Sequence, residues 1–218
     1  MKDVDYSSRA TDSNEFKFCG TIVNIYQGSK TTIMTLGIST FGKYKRRNNY
    51  PHICIFDEEV RKAASVFNIH DKVLITGYVS TSKKEDVRAE NRPPQTFVAE
   101  QILPAKSIMD KNMNIATAGS DPVLAPDENA IRVIGTVDKA FTGRGGNVNL
   151  IISSFHDDKY LKLIKVAVFP EKNENPMEYM RPGTRVCVDA MCRTSKREGH
   201  NGEVKYFENI VASNITVL

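Results

Sequence analysis

The stretch FKFCGTIV, residues Phe16–Val23, decides the fold because a similar stretch, IRVIGTVD, occupies Ile131–Asp138. Both copies contain a Gly-Thr pair, which begins at Gly20 and at Gly135, and in both copies apolar residues alternate with other residues. An alternation with a period of two is typical of a β-strand with one buried face. A strand that recurs 115 positions later predicts that the 218-residue chain contains two copies of one structural plan.

Four further matches follow in the same order along the chain, and each shows the alternation of a strand. They are LGIS (Leu36–Ser39) with LIIS (Leu150–Ser153), HICIF (His52–Phe56) with KVAVF (Lys165–Phe169), VLITGYVSTSK (Val73–Lys83) with VCVDAMCRTSK (Val186–Lys196), and AEQIL (Ala99–Leu103) with FENIV (Phe207–Val211). The offset between the copies falls from 115 to 108, which we attribute to loops of different length. Each copy is therefore predicted to contain five strands.

The segment between the third and fourth strands differs between the copies. In the first copy, Asp57–Phe67 has apolar residues at helical spacing and acidic residues in its first turn. In the second copy, Pro176 and Pro182 limit a helix to about one turn. Five strands with a helix between the third and fourth is the plan of the OB-fold, a small Greek-key barrel. We therefore predict an all-β chain with one or two short helices, built from two tandem OB-fold barrels.

Composition changes along the chain predict the domain boundaries. Residues 109–129 are rich in small and polar residues and contain two prolines, which is typical of an inter-domain linker. We expect the first barrel at 15–108, the second at 130–218, and a disordered N-terminal tail at 1–14.

The overall composition limits the classes of function. Lys and Arg number 30 against 26 Asp and Glu, so the net charge of +4 is small and polyanion binding must come from local clusters. No apolar run approaches the ~18 residues that span a bilayer, and no signal peptide is visible. The four cysteines form no C-x-x-C pair, which favours free thiols in a reducing, intracellular (cytoplasmic) compartment and no metal site.

We expect a binding protein without a cofactor, not an enzyme. The GRGG stretch at 143–146 lacks the GK[ST] ending of a phosphate-binding loop, and no Ser/His/Asp arrangement is evident. The stretch STFGKYKRRNNYPHICIF, Ser39–Phe56, instead interleaves cations with aromatic residues. Single-stranded nucleic acid needs both, because cations release counterions from phosphates and each stacked base contributes about 1–3 kcal/mol.

The candidate nucleic-acid-binding residues are aromatic or basic residues in loops or on the face opposite the predicted core. In the first copy they are Tyr26, Lys30, Phe41, Lys43, Tyr44, Lys45, Arg46, Arg47, Tyr50, His52, Phe56, Tyr78, Lys83 and Lys84. In the second copy they are Phe141, Arg144, Phe155, Tyr160, Lys165, Phe169, Arg193, Lys196 and Arg197.

Several of these residues have a second interpretation. Phe41 fits a core anchor as well as a base contact, and Tyr50 and Phe56 fit either nucleic acid or a second subunit. The central hairpin of the second copy contains Asp157 and Asp158, so we expect this copy to bind more weakly than the first.

The first copy resembles the bacterial and phage-type single-stranded DNA-binding protein family. The resemblance rests on the Gly20-Thr21 turn, on YPHICIF and the helix after it, on DKVLITGYVSTSK and on TFVAEQIL. In that family the third strand begins Trp-His-Arg and ends in Phe, where this chain has Tyr50, Pro51, His52 and Phe56. Tyr44 falls where the family has a base-stacking Trp. The chain contains no Trp, and its last residues, ASNITVL, are predicted to form a strand instead of the family's acidic tail.

The resemblance implies a tandem-barrel protein that coats and protects single-stranded DNA in replication, recombination or repair, with little sequence preference. Its expected partners are single-stranded DNA, a second copy of the chain and other replication or recombination proteins. Two alternatives remain open because a fold alone does not define a function. One is a protein–protein adaptor in which Phe56, Phe169, Tyr78 and Met191 form an apolar contact. The other is a binder of single-stranded RNA or oligosaccharide on the same barrel.

Overall fold

The described part of the chain is nearly all β-strand in the computed structural model. The structure describes residues 12–41, 46–81, 95–105, 126–143, 146–156, 160–169, 179–198 and 204–218. Within them lie β1 (Ser13–Gln27), β2 (Thr32–Phe41), β3 (Arg46–Asn49), β4 (His52–Ile55), α1 (Glu58–Ala64), β5 (Lys72–Thr81), β6 (Gln95–Pro104), β7 (Glu128–Thr142), β8 (Val148–His156), β9 (Tyr160–Val168), β10 (Arg185–Glu198) and β11 (Val204–Val217). The predicted fold class is confirmed.

Strands β1, β2, β4, β5 and β6 close into a barrel. β1 pairs with β2 and β5, β2 pairs with β4, and β6 joins β4 to β5, the β4–β6 ladder being parallel. The short strand β3 extends β2 beyond the barrel. The predicted helix, α1, lies between β4 and β5, and the Asp57 side chain caps it by accepting hydrogen bonds from the backbone of Glu59 and Val60. This is the expected OB-fold.

The second set of strands repeats the same plan. β7 pairs with β8 and β10, β8 pairs with β9, and β11 joins β9 to β10. The short helix predicted near Pro176 falls largely at 170–178, outside the described residues, and the chain makes a turn from Tyr179 to Gly183. The barrel therefore closes with the same strand order as the first.

A ladder between β1 and β7 joins the two barrels into one continuous sheet. The two strands run antiparallel, with Phe16 opposite Ile131. These residues are equivalent positions of the two copies, so an approximate twofold axis passes between them. β1 and β7 begin at Ser13 and Glu128, slightly inside the predicted tail and linker, because their mutual pairing begins there.

A D-x-N sequence at the start of each first strand repeats with this symmetry, and sequence analysis missed it. Asp12 forms an ion pair with Arg185 of the other barrel at 2.7 Å and accepts a hydrogen bond from the backbone of Phe155. Asp127 of the second copy forms an ion pair with Lys72 of the first barrel at 2.7 Å and accepts a hydrogen bond from the backbone N–H of Ser39.

The asparagine of each D-x-N sequence caps its own barrel. Asn14 both donates to and accepts from the backbone of Val79, and Asn129 does so with Cys192. These hydrogen bonds satisfy backbone N–H and C=O groups at the point where strand pairing ends. A buried backbone group left without a partner would destabilise the fold.

The ladders correct two of the sequence matches. Leu36 pairs with Ile22 as Ile152 pairs with Val137, so Leu36 is equivalent to Ile152 and not to Leu150. AEQIL is equivalent to ASNIT at 212–216 and not to FENIV, because Ala99 pairs with Gly77 as Ala212 pairs with Ala190. Short alternating segments match at several registers, and backbone pairing selects one of them.

The faces predicted as core are buried in both barrels. The rings of Phe16, Phe18 and Phe97 pack together in the first barrel, with centroids 4.6–5.4 Å apart. Val73, Ile75 and Val79 of β5 and Val186, Val188 and Cys192 of β10 are all buried. The two cores form one apolar cluster, which extends across the β1–β7 ladder.

The remaining global features concern cysteines, metals and membranes. All four cysteines are free, Cys19 and Cys192 being buried and Cys54 and Cys187 half-buried. The part of the chain that the structure describes holds no group of three potential metal ligands. It also contains no helix long and apolar enough to cross a membrane.

Glycine begins the Gly-Thr pair in both copies for a steric reason that can be tested. A Cβ at Gly135 would lie 2.3 Å from the Ser153 carbonyl oxygen on β8. The backbones of β7 and β8 would have to separate, so we expect Gly135→Ala to lower the free energy of unfolding by about 1–3 kcal/mol in urea titrations. Lys139→Ala, an exposed position on the same strand, should change it by less than about 0.5 kcal/mol. Equal stability of the two variants would contradict this explanation.

Candidate nucleic-acid interface

Some predicted site residues have no described side chain. Lys43, Tyr44, Lys45, Lys83, Lys84 and Arg144 lie outside the described residues. For Phe41, Tyr160 and Arg197 only the strand position is described. The central part of the predicted basic and aromatic loop is therefore a prediction that the described structure does not test.

The second barrel has an open groove of about 570 Å³ on its outer face. Four predicted residues come together in it: Phe141 on β7, Lys165 on β9, Phe169 just after β9 and Arg193 on β10. The remaining lining residues are Thr142, Gly143, Asn147, Asn149, Ala167, Ser195, Asn209 and Val211. Successive side chains of a strand point to opposite faces of the sheet. One set therefore fills the core of the barrel, and the residues between them line the groove.

The groove has the chemistry that a single strand requires. The Phe169 ring is 57% exposed, and the Phe141 ring is half-buried at the other side of the groove. Lys165 and Arg193 supply positive charge, and Asn149 and Asn209 supply amide donors and acceptors. Exposed ring faces suit base stacking and cations suit phosphates, and neither interaction depends on base identity.

Phe207 lies on the same face of the sheet and was missed by sequence analysis. Phe207 is on β11, opposite Ser195 of β10 and two residues before Asn209, and its side chain is 41% exposed. The register error concealed it, because FENIV was matched to the wrong strand segment. The signal was present in VKYFENIV, where the residues between the core positions include Phe207.

The first barrel repeats the rings of the groove but not its cations. Phe56 and Tyr26 occupy the positions of Phe169 and Phe141, and they are 53% and 61% exposed. His52 occupies the position of Lys165, and Ser80 that of Arg193. Arg46 and Arg47, both exposed, carry positive charge on the neighbouring strand β3 of this barrel.

His52 is engaged in a contact between the barrels. Its backbone N–H donates to the Glu208 carboxylate at 2.7 Å, and its ring Nδ1 forms a very short contact with the same oxygen. The hydrogen bond to Glu208 raises the pKa of His52, although burial works in the opposite direction. The symmetric contact joins the Lys165 backbone to the Gln95 side chain, with no charge on the acceptor.

Tyr78 also lies between the barrels. Its ring stacks on that of His156 with centroids 3.8 Å apart, and the Lys162 ammonium lies 5.8 Å from its centroid. One face of the Tyr78 ring is therefore covered by protein. Phe155, the neighbour of His156 on β8, is half-buried and donates its backbone N–H to Asp12 at 3.0 Å.

The other described candidates are exposed at the surface. Lys30 lies in the turn between β1 and β2, and Lys196 lies near the end of β10. The Nε of Arg46 donates to Ser39 Oγ on the neighbouring strand. Tyr50 is 40% exposed and packs beside Gly37, where an added Cβ would lie 3.7 Å from its ring.

Comparison with known proteins supports the fold. No protein-family model matches the chain, and no curated protein matches its sequence. A deletion variant of the single-stranded DNA binding protein from Thermus aquaticus is similar over 96% of this chain and 96% of its own, with a TM-score of 0.66 and 12% identity. The wild-type Thermus protein is similar over 95% and 93%, with a TM-score of 0.62 and 12% identity.

These likenesses define the chain first as a tandem OB-fold protein. They cover both barrels, so the arrangement of the two copies is shared as well as the plan of each. More particularly, the chain has the fold of the single-stranded DNA-binding proteins, and the resemblance noted in the sequence is confirmed at the level of fold.

The His52–Glu208 contact predicts a pH dependence of stability. Because the folded-state pKa of His52 is raised, the contact stabilises the protein below the ordinary histidine pKa of about 6.5, and this contribution is lost as pH rises through the raised value. Glu208→Gln keeps an acceptor for the backbone N–H and removes the charge. We expect it to lower the melting temperature more at pH 6 than at pH 8.5. An equal loss at both pH values would show that the charge of His52 does not contribute.

Proposed function

We propose that this protein binds single-stranded DNA without reading its sequence, and that the groove of the second barrel is part of the path. The observation that carries the proposal is the meeting of Phe141, Phe169, Lys165 and Arg193 in one open groove. Bases stack on the two rings, and the two cations contact the phosphates between them. A single strand fits this arrangement because its bases present flat faces to the rings and its phosphates present negative charge to the cations.

The barrels act together on one strand in this proposal. The β1–β7 ladder joins the two barrels, and Tyr26 and Phe56 of the first barrel occupy the positions of Phe141 and Phe169. One OB-fold holds roughly 4–16 nucleotides, so two barrels accommodate a longer segment than one. The Thermus proteins of similar fold are single-stranded DNA binding proteins by name, which supports this choice of ligand.

The biological role that we propose follows from such binding. A protein that coats single strands without sequence preference protects them during replication, recombination or repair, inside the cell and without catalysing a reaction. A homodimer would place four barrels on one strand. We propose 15–108 and 130–218 as the two domains, and the ladder that joins them extends to Ser13 on β1 and Glu128 on β7.

A protein–protein adaptor is the second candidate, and one observation favours it. Phe56 and Phe169 are both more than half exposed at equivalent positions of the two barrels. Exposed large apolar residues at repeated positions are also what a subunit contact requires. Of the other residues assigned to that contact, Tyr78 is already stacked on His156.

The test is a fluorescence-polarisation titration of the full chain with labelled dT, dA and rU oligomers and with duplex DNA. We expect dT and dA to bind tightly and duplex DNA poorly. Phe169→Ala should weaken dT binding by about 1–3 kcal/mol, roughly five- to 150-fold, because one stacked base loses its ring. Arg132→Ala, an exposed arginine on β7 outside the groove, serves as the control and should change affinity little.

Other outcomes would replace the proposal. Equal binding of duplex DNA, or no binding of any oligomer, would overturn it. Tighter binding of rU than of dT would identify an RNA binder. Self-association that Phe56→Ala and Phe169→Ala abolish, without binding of nucleic acid, would favour the adaptor.

The expected ranking of the barrels is testable in the same assay. Sequence analysis predicts stronger binding by the first copy, and its Lys43–Lys45 segment lies outside the described residues. We therefore expect Phe56→Ala to weaken dT binding more than Phe169→Ala. A larger loss with Phe169→Ala would reverse the ranking and assign the larger share of the affinity to the second groove.

A further inference from the structure

The two barrels meet a second time beside the groove, where β3 lies against β10. β10 pairs with β7 only as far as Ala190, so the edge beyond that residue has no strand partner among the described elements. The Tyr50 backbone N–H donates to Thr194 Oγ1 at 3.1 Å, and the Thr194 backbone N–H donates to Asn49 Oδ1 at 3.3 Å. The end of the first barrel's basic loop is thereby held at the edge of the second barrel's groove.

This contact brings two arginines together. Arg47 lies two residues before Asn49, so both share the face of β3 that contacts β10. Arg193 immediately precedes Thr194 and lines the groove. Burial, and after it the charge of Arg47, lower the pKa of Arg193, which indicates that the two guanidinium groups are close enough to repel each other.

Neither arginine has a carboxylate partner within the described ranges. The ion pairs there involve other basic residues, namely Lys17, His52, Lys62, Lys72, His156 and Arg185. Two cations held together without an anion repel each other, and a phosphate placed between them removes the repulsion and accepts hydrogen bonds from both. Arginine suits this role because its planar group binds phosphate through two N–H donors.

The symmetric junction lacks this pair. There the Leu163 backbone N–H donates to Thr81 Oγ1 at 3.4 Å, which repeats the Tyr50–Thr194 contact. The positions of Arg47 and Arg193 are occupied by Tyr160 and Ser80. Lys162, the cation nearby, donates to Ser80 Oγ at 3.4 Å. The backbone N–H to threonine contact is therefore made at both junctions, and it does not require the arginine pair.

We infer that Arg47 and Arg193 form one phosphate-binding site shared by the two barrels, at which a single strand passes from the groove of the second barrel to the first. The inference rests on the proposed function and adds the place at which the strand crosses between the barrels. The strand crosses at the β3–β10 junction and not at the symmetric one. Phe169 and Arg193 then belong to one side of the crossing and Arg47 to the other.

The salt dependence of dT30 binding tests this inference. For single strands, each phosphate contact contributes about 0.7 to the slope of log K against log salt. Because one shared phosphate counts once, we expect the Arg47→Ala/Arg193→Ala double variant to lower the slope by about 0.7, which is about a fivefold loss of affinity at 0.1 M salt and little loss at 1 M. Either single variant should lose only part of this slope, because the remaining arginine still contacts the phosphate, and Arg47→Lys should retain the slope because the charge remains.

Lys162→Ala is the matched control, because it removes one cation from the symmetric junction. It should leave the slope within about 0.2 of the wild-type value, well below one phosphate contact. Wild-type binding of dT30 with no change of slope in the double variant would overturn the shared site and leave the proposed function intact. A loss of slope in Lys162→Ala as large as that in the double variant would overturn the placement of the crossing at the β3–β10 junction. Absence of dT30 binding by the wild-type chain would overturn both.

Discussion

The ladder between β1 and β7 is the constraint on which the rest of the structure depends. Each of these strands pairs with three others, so it belongs to its own barrel and to the sheet that joins the barrels. Phe16 opposite Ile131 sets the symmetry axis, and every later contact between the barrels follows from it. The D-x-N sequences and the β3–β10 and β9–β5 contacts are symmetric consequences of this one register.

Symmetry of the backbone does not extend to the chemistry of the surface. The aromatic positions repeat, since Tyr26 and Phe56 match Phe141 and Phe169. The charged positions do not repeat, since Lys165 is matched by His52, whose ring is bound to Glu208. Exposed aromatic rings are therefore present at equivalent positions of both barrels, whereas the positions of Lys165 and Arg193 hold no lysine or arginine in the first barrel.

Sequence patterning predicted the fold to a considerable depth. Period-two alternation and the Gly-Thr repeat were sufficient for two five-stranded barrels, because burial of one strand face constrains sequence directly. The Gly at 20 and 135 reflects a close approach of backbones, which only glycine permits there. The register of the last strand was wrong because AEQIL, FENIV and ASNIT all fit the alternation. Hydrogen bonding between strands decides among them, and that information is not local.

What the sequence determined by itself was therefore the plan of each copy, its core faces and the kinds of residue on its outer surface. Tertiary structure alone decided which of those residues meet. It placed Phe141, Lys165, Phe169 and Arg193 in one groove, turned Tyr78 and His52 toward the neighbouring barrel, and added Phe207. It also brought Arg47 to Arg193 across 146 positions of sequence. Local pattern reports burial, whereas contact between distant strands depends on register and barrel closure, which no short segment contains.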